Sequence, residues 1–400
     1  MFEQTSKTKK AVKSCLENNT SLSETAVLEI ARSRLEQFLP LQAAGYACTT
    51  EQLLDVLLAV SANKETIEQV CADLKIKVGA ETIRGYFNLQ LKVENLLDLQ
   101  ESVNLALQTS LNPDLKRQKL EVAIDFHDQG YYGKLEQSEG LWVGAEAKNG
   151  TTKVYRVATV YAIKNGHRLT LAIKFVVPGE TAKEVVEYLL RQLKGLEIEA
   201  RVLYLDRGFG SIEIARYVQE IGQTAIIACP IRGKKGGLKA LCVGRKSYRT
   251  KHVFKSAKHG TLIVEMAMFK TFTNCTKKGK KVRKAKWLAY ILVNVEANLS
   301  AKKVKENYRK RFGIEASYRC AKKVRGWTTS SNAAYRFVLI GMSFLLTNIW
   351  QELQTRWTRK AQVGRASWNW QKFRLKRFVN FLRKAIENLY GMVSEIEMLN

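Results

Sequence analysis

The sequence has no CxxC pair, few histidines and no secretory leader, and each absence excludes a class of protein. Its seven cysteines are odd in number and scattered, which argues against a disulfide framework or a zinc ribbon and favours a reducing compartment. The four histidines are scattered as well, so a His-rich transition-metal site is not expected. The N-terminal segment contains no apolar stretch of signal-peptide length. Together these absences predict an intracellular protein.

Long apolar runs are also missing. The most apolar stretch, Phe337–Trp350 (FVLIGMSFLLTNIW), covers 14 residues and contains Ser343, Thr347 and Asn348. A membrane-spanning helix needs about 20 apolar residues. We therefore predict that this stretch is a buried core helix, in a soluble protein that makes no membrane contact.

Acidic residues are scarce relative to basic ones. The chain has 66 Lys and Arg against 37 Asp and Glu, and its formal net charge is +29. A charge this large opposes a compact fold unless a partner neutralises it, and nucleic acid is the commonest such partner, with anionic membranes as the competing one. The 46% hydrophobic content describes a globular protein, and 400 residues allow two or three domains.

The positive charge is concentrated in one segment. Residues 231–300 hold 18 Lys or Arg and 2 acids, whereas residues 1–120 hold 14 against 15. Three strand-like runs (YRTKHVFKS, GTLIVEMAMFK and KWLAYILVNV) lie between Gly- and Lys-rich loops. We interpret the segment as a basic β-rich insertion that contacts nucleic acid, with a solvated charged face as the alternative. The C-terminal stretch 356–384 interleaves aromatic and basic residues, which suits base stacking and equally suits a buried aromatic stripe.

The middle of the chain reads as alternating strands and helices. KLEVAIDFHD predicts a first strand, and KVYRVATVYAI and RLTLAIKFVVPG, joined by an Asn-Gly turn, predict a hairpin. An amphipathic helix, the strand ARVLYLD, a second helix and the strand TAIIACP follow. This order predicts an α/β fold with a mixed sheet flanked by helices.

Changes of pattern divide the chain into five predicted segments. Residues 66–91 resemble a helix, a turn with Gly79 and a second helix, the outline of a helix-turn-helix; helical packing alone is the alternative. The segments are a helical DNA-binding region (1–115), the first part of a catalytic core (116–230), the basic β-rich insertion (231–300), the rest of the core (301–330) and a C-terminal helical region (331–400).

Three acidic residues stand where a catalytic group is expected. Asp125 ends the first predicted strand and Asp206 ends a later one. Strand ends at the rim of an open α/β sheet are where ligands bind. Glu315 lies on the helix after the insertion. A strand terminus or a helix cap is the structural alternative for each acid. Asp128 is a rival to Asp125, and His127 is the nearest histidine.

The helix around Glu315 carries a row of polar side chains. At about 100° per residue, Tyr308, Arg311, Glu315 and Lys322 fall within about 60° of one another. The structural alternative is a salt-bridge row, because residues at i and i+4 such as Arg311 and Glu315 pair on any helix. That alternative explains neither the two strand-end aspartates nor the basic insertion.

The spacing Tyr308-x2-Arg311-x3-Glu315-x6-Lys322 resembles the YREK signature of DDE insertion-sequence transposases of the IS-four group. The resemblance extends over residues 118–325 and includes Asp125, Asp206 and a β insertion before the glutamate helix. It implies an RNase H-like sheet interrupted by that insertion, with helical regions at both ends.

The resemblance also implies the chemistry of the site. Asp125, Asp206 and Glu315 are the implied catalytic residues and ligands of two divalent ions, for which hard carboxylate oxygens suit Mg2+, with Mn2+ as the alternative. The DNA-binding residues implied are Tyr308, Arg311 and Lys322, which would hold DNA-end phosphates. Trp287 would stack on a flipped base, or else be a core strand residue.

The predicted function is therefore cut-and-paste DNA transposition. The expected partners are double-stranded DNA, as terminal inverted repeats and target, and a second copy of the chain in a DNA-bound homodimer. The expected location is the cytoplasm of a prokaryotic cell, in association with the nucleoid. A nuclease of the same fold that lacks strand transfer and a non-catalytic DNA-binding descendant are the alternatives.

Overall fold

A nine-stranded mixed sheet forms the centre of the molecule. The computed structural model describes residues 21–43, 47–109, 111, 115, 118–148, 150–164, 167–232, 235–277, 280–360 and 367–395. The strands are β1 (Lys119–Gly130), β2 (Val143–Lys148), β3 (Thr151–Lys164), β4 (His167–Val176), β5 (Glu199–Leu205), β6 (Ala225–Cys229), β7 (Tyr248–Ser256), β8 (Gly260–Lys277) and β9 (Lys280–Val293). The predicted mixed α/β class is confirmed. The predicted Asn-Gly turn lies outside the described residues.

The order of the strands is β2-β3-β1-β5-β6-β9-β8-β7, with β4 paired to β3. β5 runs parallel to β1 and to β6, and the other pairs are antiparallel. The sequence predicted β1, β3, β4, β5 and β6 in this order, but not the short strand β2. β2 has little of the apolar alternation that identifies a strand, and it pairs only with one end of β3.

Helices lie on both sides of the sheet. They are α1 (Glu24–Glu36), α2 (Thr50–Asn63), α3 (Ile67–Asp73), α4 (Ala80–Gln90), α5 (Leu96–Thr109), α6 (Ala182–Gly195), α7 (Ile212–Glu220), α8 (Gly237–Ala240), α9 (Ala301–Tyr308), α10 (Phe312–Ala321), α11 (Ala333–Trp357) and α12 (Leu375–Tyr390). The helix, turn and helix expected around Gly79 correspond to α3 and α4, and Gly79 is the N-cap of α4.

Alternation along β1 separates two hydrophobic cores. Successive side chains of a strand point to opposite faces, so Ala123 joins the core formed with α1–α5 and α9–α12. Its neighbours Val122 and Ile124 join the other core, under α6 and α7. Asp125 is therefore on the face of the sheet that α10 and α11 cover.

The apolar helix α11 lies deep in the first core. By length and composition it would be long enough to cross a membrane, yet 94% of its most apolar window is buried inside the protein. Asn348 of this helix donates to the carbonyl of Thr170 at 2.8 Å and accepts from its N–H at 3.1 Å. The predicted burial of residues 337–350 is confirmed.

Side chains close the outer edge of β4. Asn104 of α5 pairs in the same two-way manner with the backbone of Ile173, at 3.0 and 2.7 Å, and Gln100 accepts from the N–H of Phe175 at 2.7 Å. Buried backbone groups without a partner cost free energy, and an open strand edge invites pairing with another chain. These amides satisfy the edge and bind the helices to the sheet.

The basic segment extends this same sheet. β9 pairs with β6 from Ala225↔Val293 to Cys229↔Ala289, and β8 and β7 follow it outward. The three strands expected here are present. Because β9 runs antiparallel to β6, its residues before Ala289 continue past the C-terminal end of β6. At about 3.3 Å per residue, the hairpin of β8 and β9 projects about 30 Å beyond that edge.

Candidate active site

Asp125 and Asp206 lie level with each other at one edge of the β1–β5 pair. The parallel register ends at Ile124↔Leu205, so each aspartate is the next residue of its strand. Asp206 follows β5, as predicted. The prediction that Asp125 ends its strand is wrong, because β1 continues to Gly130 through its pairing with β3. Asp125 is thus held in a regular strand between β3 and the end of β5.

Glu315 reaches this edge from α10. The single helix expected from Tyr308 to Lys322 is interrupted, because α9 ends at Tyr308 and a 3-10 turn (Arg309–Arg311) precedes α10. Lys322 is the C-cap of α10 and is exposed. The face predicted for four side chains is therefore divided, with Tyr308 and Arg311 turned inward.

Arg311 joins the three carboxylates. Its Nη1 lies 2.7 Å from Oδ2 of Asp125, and its Nη2 lies 3.1 Å from Oε1 of Glu315 and 3.5 Å from Oδ1 of Asp206. The Arg311 side chain is 5% exposed, whereas those of Asp125, Asp206 and Glu315 are 14%, 38% and 51% exposed. The site therefore grades from a buried acid at the sheet to an exposed acid on the helix.

The charge on Arg311 is stabilised in spite of burial. Desolvation lowers the pKa of the guanidinium, but the negative charges of the three carboxylates outweigh it and raise the pKa above its ordinary value. Its Nε is buried without a hydrogen-bond partner among the described residues. The rings of Tyr308 and Phe312 lie 5.5 and 5.4 Å from the guanidinium carbon, distances at which a cation is attracted to an aromatic face.

Tyr308 positions Asp206. Its hydroxyl donates to Oδ1 of Asp206 and to the carbonyl of Leu205, both at 3.3 Å. The residue is buried, and its ring lies 4.9 Å from that of Tyr290. Burial raises the pKa of the Tyr308 phenol well above its usual range, so the group is a neutral donor.

Asp125 has the most perturbed carboxyl of the three. Burial, reinforced by the charge of Asp206 and opposed by Arg311 and by the N–H of Phe126, raises its pKa to about 6. Tyr318 donates to the backbone carbonyl of Asp125 at 2.9 Å and is 2.8 Å from Thr159 Oγ1. Sequence reasoning missed Tyr318, although it follows Glu315 by three residues and so lies on the same helix face.

The other candidates are placed differently. Asp128 forms a bidentate pair with Arg156, at 2.7 and 2.9 Å, and belongs to that pair rather than to the carboxylate group. His127 is buried, with its ring 4.9 Å from that of Tyr318. Trp287 lies on β9 just past the end of the β6 pairing.

Trp287 is half-buried and has neighbours on its ring. It packs edge-on against Tyr248 at 6.2 Å, and Nζ of Lys270 lies 5.5 Å from its centroid. Because the C-terminal ends of the parallel strands β5 and β6 share one edge, the projecting hairpin extends from the edge that carries Asp206.

The three carboxylates suit a divalent ion in their chemistry. Among the described residues, no group of three His, Cys, Asp or Glu side chains is arranged to hold one ion, and Arg311 lies between the three acids as their common ion-pair partner. The same arrangement demonstrates that the acids accept a buried positive charge between them. Carboxylate oxygens are the ligands that Mg2+ and Mn2+ prefer, so the donor set fits.

Comparisons with known proteins identify the family of the chain and a similar fold. Residues 117–349 match the family described as the transposase DDE domain. The fold is similar to a cryo-EM structure of the piggyBac transposase synaptic complex with hairpin DNA, at 9% identity and a TM-score of 0.53, over 95% of this chain and 80% of that one. At that identity the likeness concerns the fold. No curated protein gives a significant sequence match.

Proposed function

The chain belongs to the transposase DDE domain family and is a metal-dependent enzyme of DNA transposition, and we propose that Asp125, Asp206 and Glu315 are its catalytic metal ligands. The observation that carries the proposal is their common bond to Arg311. Two of these acids come from separate strands and one from a helix, so chance salt bridging on a single helix does not bring them together.

We propose Mg2+ as the physiological ion, with Mn2+ as a substitute. When bound, a pair of divalent ions activates the attacking oxygen and stabilises the leaving one. The chain holds the ligands in place for them. Tyr308 fixes Asp206 through a hydrogen bond, and Tyr318 fixes the backbone at Asp125. Asp125 is the anchored acid, whereas Glu315 is the most exposed.

In the protein without DNA, the side chains of Arg311 and Tyr308 point into the protein. Both were implied by resemblance as phosphate contacts, and both are buried against carboxylates. We propose that Arg311 balances the carboxylate charge until metal and DNA arrive, and then turns to the DNA phosphate. Lys322, exposed at the end of α10, contacts flanking phosphate throughout.

The DNA partners are double-stranded, comprising the terminal inverted repeats and the target. The 18 bases and 2 acids of residues 231–300 supply a sequence-independent attraction for the backbone. The hairpin of β8 and β9 projects from the edge of the sheet that carries the carboxylates. This position favours Trp287 as a DNA contact near the cleavage site. We propose α3 and α4 of the 1–115 region as a second contact, a homodimer on DNA, and a location in the prokaryotic cytoplasm with the nucleoid.

A strand-transfer assay tests the function. The protein is incubated with Mg2+ and linear DNA that carries the element's terminal repeats, with a supercoiled plasmid as target. We expect joined products as well as nicks, and none with Asp206→Asn. Nicks without joined products would favour the related nuclease, and no cleavage with intact DNA binding would favour the non-catalytic descendant.

A further inference from the structure

Arg325 and Arg336 are substantially buried arginines with no acidic partner among the described residues. Within the described part of the chain, neither forms an ion pair with Asp or Glu, whereas Arg32 pairs with Asp55 and Arg156 with Asp128, each at 2.7 Å. A buried charge that lacks a counter-charge costs several kcal/mol. Within the part of the chain that the structure describes, two positive charges are therefore left without an ion-pair partner.

The described groups that contact the Arg336 guanidinium are neutral. The residue is 7% exposed, its Nε donates to the carbonyl of Ser330, and the rings of Tyr131 and Tyr155 lie 5.7 and 5.8 Å from its guanidinium carbon. It also stands in the first turn of α11, where the helix dipole is positive. The dipole adds to the positive potential instead of cancelling it.

Arg325 lies next to this charge and closer to solvent. Its Nη1 is 3.3 Å from Nε2 of His127, and it is partly exposed. Burial lowers the pKa of Arg325 and the neighbouring Arg336 lowers it further, although arginine keeps its proton in proteins.

The position relative to the carboxylates is set by β1. His127 follows Asp125 by two residues, so the two side chains share one face of the strand and stand about 7 Å apart along it. Tyr318 contacts both residues, because its hydroxyl donates to the backbone carbonyl of Asp125 and its ring packs on His127. Because Arg325 contacts His127, it borders the carboxylate group along the direction of β1.

We propose that Arg325, backed by Arg336, forms an anion site for a DNA backbone phosphate adjacent to the one at the three carboxylates. The inference rests on the proposed function, because it takes DNA as the ligand. A guanidinium binds phosphate through two parallel hydrogen bonds, and the half-buried location strengthens that attraction. Arg336 is a positioning residue: it does not contact the phosphate, and its charge adds to the positive electrostatic potential at Arg325.

DNA binding by Arg325→Gln tests the site. Affinity for one duplex with a terminal repeat is measured in EDTA across a salt series, so that cleavage plays no part. Loss of one phosphate contact reduces the slope of log K against log salt by about one unit, with weaker binding at every salt concentration. The matched control is Arg191→Gln, an exposed arginine on α6, on the opposite face of the sheet. An unchanged slope in Arg325→Gln would overturn the site.

Thermal stability provides the second readout. Removal of an unpaired buried charge is expected to leave the melting temperature of Arg325→Gln equal to or above that of the wild type, and inorganic phosphate should raise the wild-type value alone at constant ionic strength. A large loss of stability would mean a structural arginine and overturn the proposal. Arg325→Lys, which keeps the charge, should retain the slope and lose affinity.

The outcomes separate this site from the proposed function. A reduced slope in a protein that never joins strands would leave the anion site standing and refute the transposase assignment. If Arg325→Gln joined strands and kept the wild-type salt slope, the transposase assignment would stand and the anion site would be refuted. A phosphate-induced thermal shift without any effect on DNA affinity would overturn DNA as the ligand.

Discussion

Nη1 of Arg311 lies 2.7 Å from Oδ2 of Asp125, inside the group of carboxylates that we propose as metal ligands. The Arg311 guanidinium and the proposed metal ions therefore compete for the same carboxylates. Removal of one member of a buried ion pair leaves the other uncompensated, which costs about 3–5 kcal/mol. The relationship makes the stability of the metal-free protein depend on Arg311.

Arg311→Gln should be unstable without metal and regain stability with it. In EDTA we expect the free energy of unfolding to fall by about 3 kcal/mol, because the three carboxylates then repel one another. Mn2+ should restore part of this loss. Thermal unfolding measures both effects. The control Arg383→Gln removes an exposed pair with Glu387 at 3.3 Å and should change stability by less than about 1 kcal/mol. Equal loss with and without Mn2+ would contradict the role of Arg311 as a counter-cation.

Asp125 should give the metal-free protein a specific pH dependence. Its folded pKa of about 6 exceeds the ordinary 3.8, so its stabilising contribution is complete below pH 4 and is lost as the pH rises through 6. The difference in unfolding free energy between wild type and Asp125→Asn should therefore fall by at most about 3 kcal/mol from pH 4 to pH 7. Denaturant titrations in EDTA measure it, and a constant difference would be inconsistent with the raised pKa.

Gly313 should resist substitution more than another helical glycine. A Cβ at Gly313 would come 2.9 Å from the hydroxyl of the buried Tyr161, whereas one at Gly85 of α4 would meet nothing within 4 Å. Gly85→Ala should stabilise the protein by about 0.5–1 kcal/mol through helix propensity. Gly313→Ala should instead destabilise it by about 1–3 kcal/mol through overpacking. Chemical denaturation measures the free energy of unfolding of both variants. Equal stabilisation would mean that a Cβ at Gly313 fits without overpacking.

Trp287→Ala should slow the processing of DNA ends. Trp287 lies on the hairpin that projects from the carboxylate edge and packs against Tyr248; loss of the proposed base stacking costs about 1–3 kcal/mol. Trp287→Phe should retain most of the rate. Single-turnover cleavage kinetics at saturating protein measure the effect. Normal kinetics for Trp287→Ala would assign the residue to packing alone.

Periodicity and strand ends were sufficient to predict the sheet and its acids. Alternation placed five core strands in the right order, and the apolar run before Asp206 located its carboxylate at a strand end. These features are local, because each depends on residues adjacent in sequence. The three basic-segment strands were recognised for the same reason.

Long-range relations were not predictable in this way. A helical face does not reveal whether it meets solvent or another acid, so the inward turn of Arg311 and Tyr308 depends on β1 and β5, more than 100 residues earlier. The pairing of β9 with β6 likewise joins segments about 60 residues apart. Asp125 was assigned to a strand end because polar residues follow it, but pairing with β3 carries the strand on.

Manganese binding to the DNA complex tests the central claim most directly. Electron paramagnetic resonance counts the Mn2+ ions held by wild-type protein on a duplex with the terminal repeat, and by Asp125→Asn, Asp206→Asn and Glu315→Gln at equal DNA occupancy. The account predicts two ions in the wild type and fewer in each variant, with DNA binding retained. Two tightly bound ions in any of these variants would contradict it.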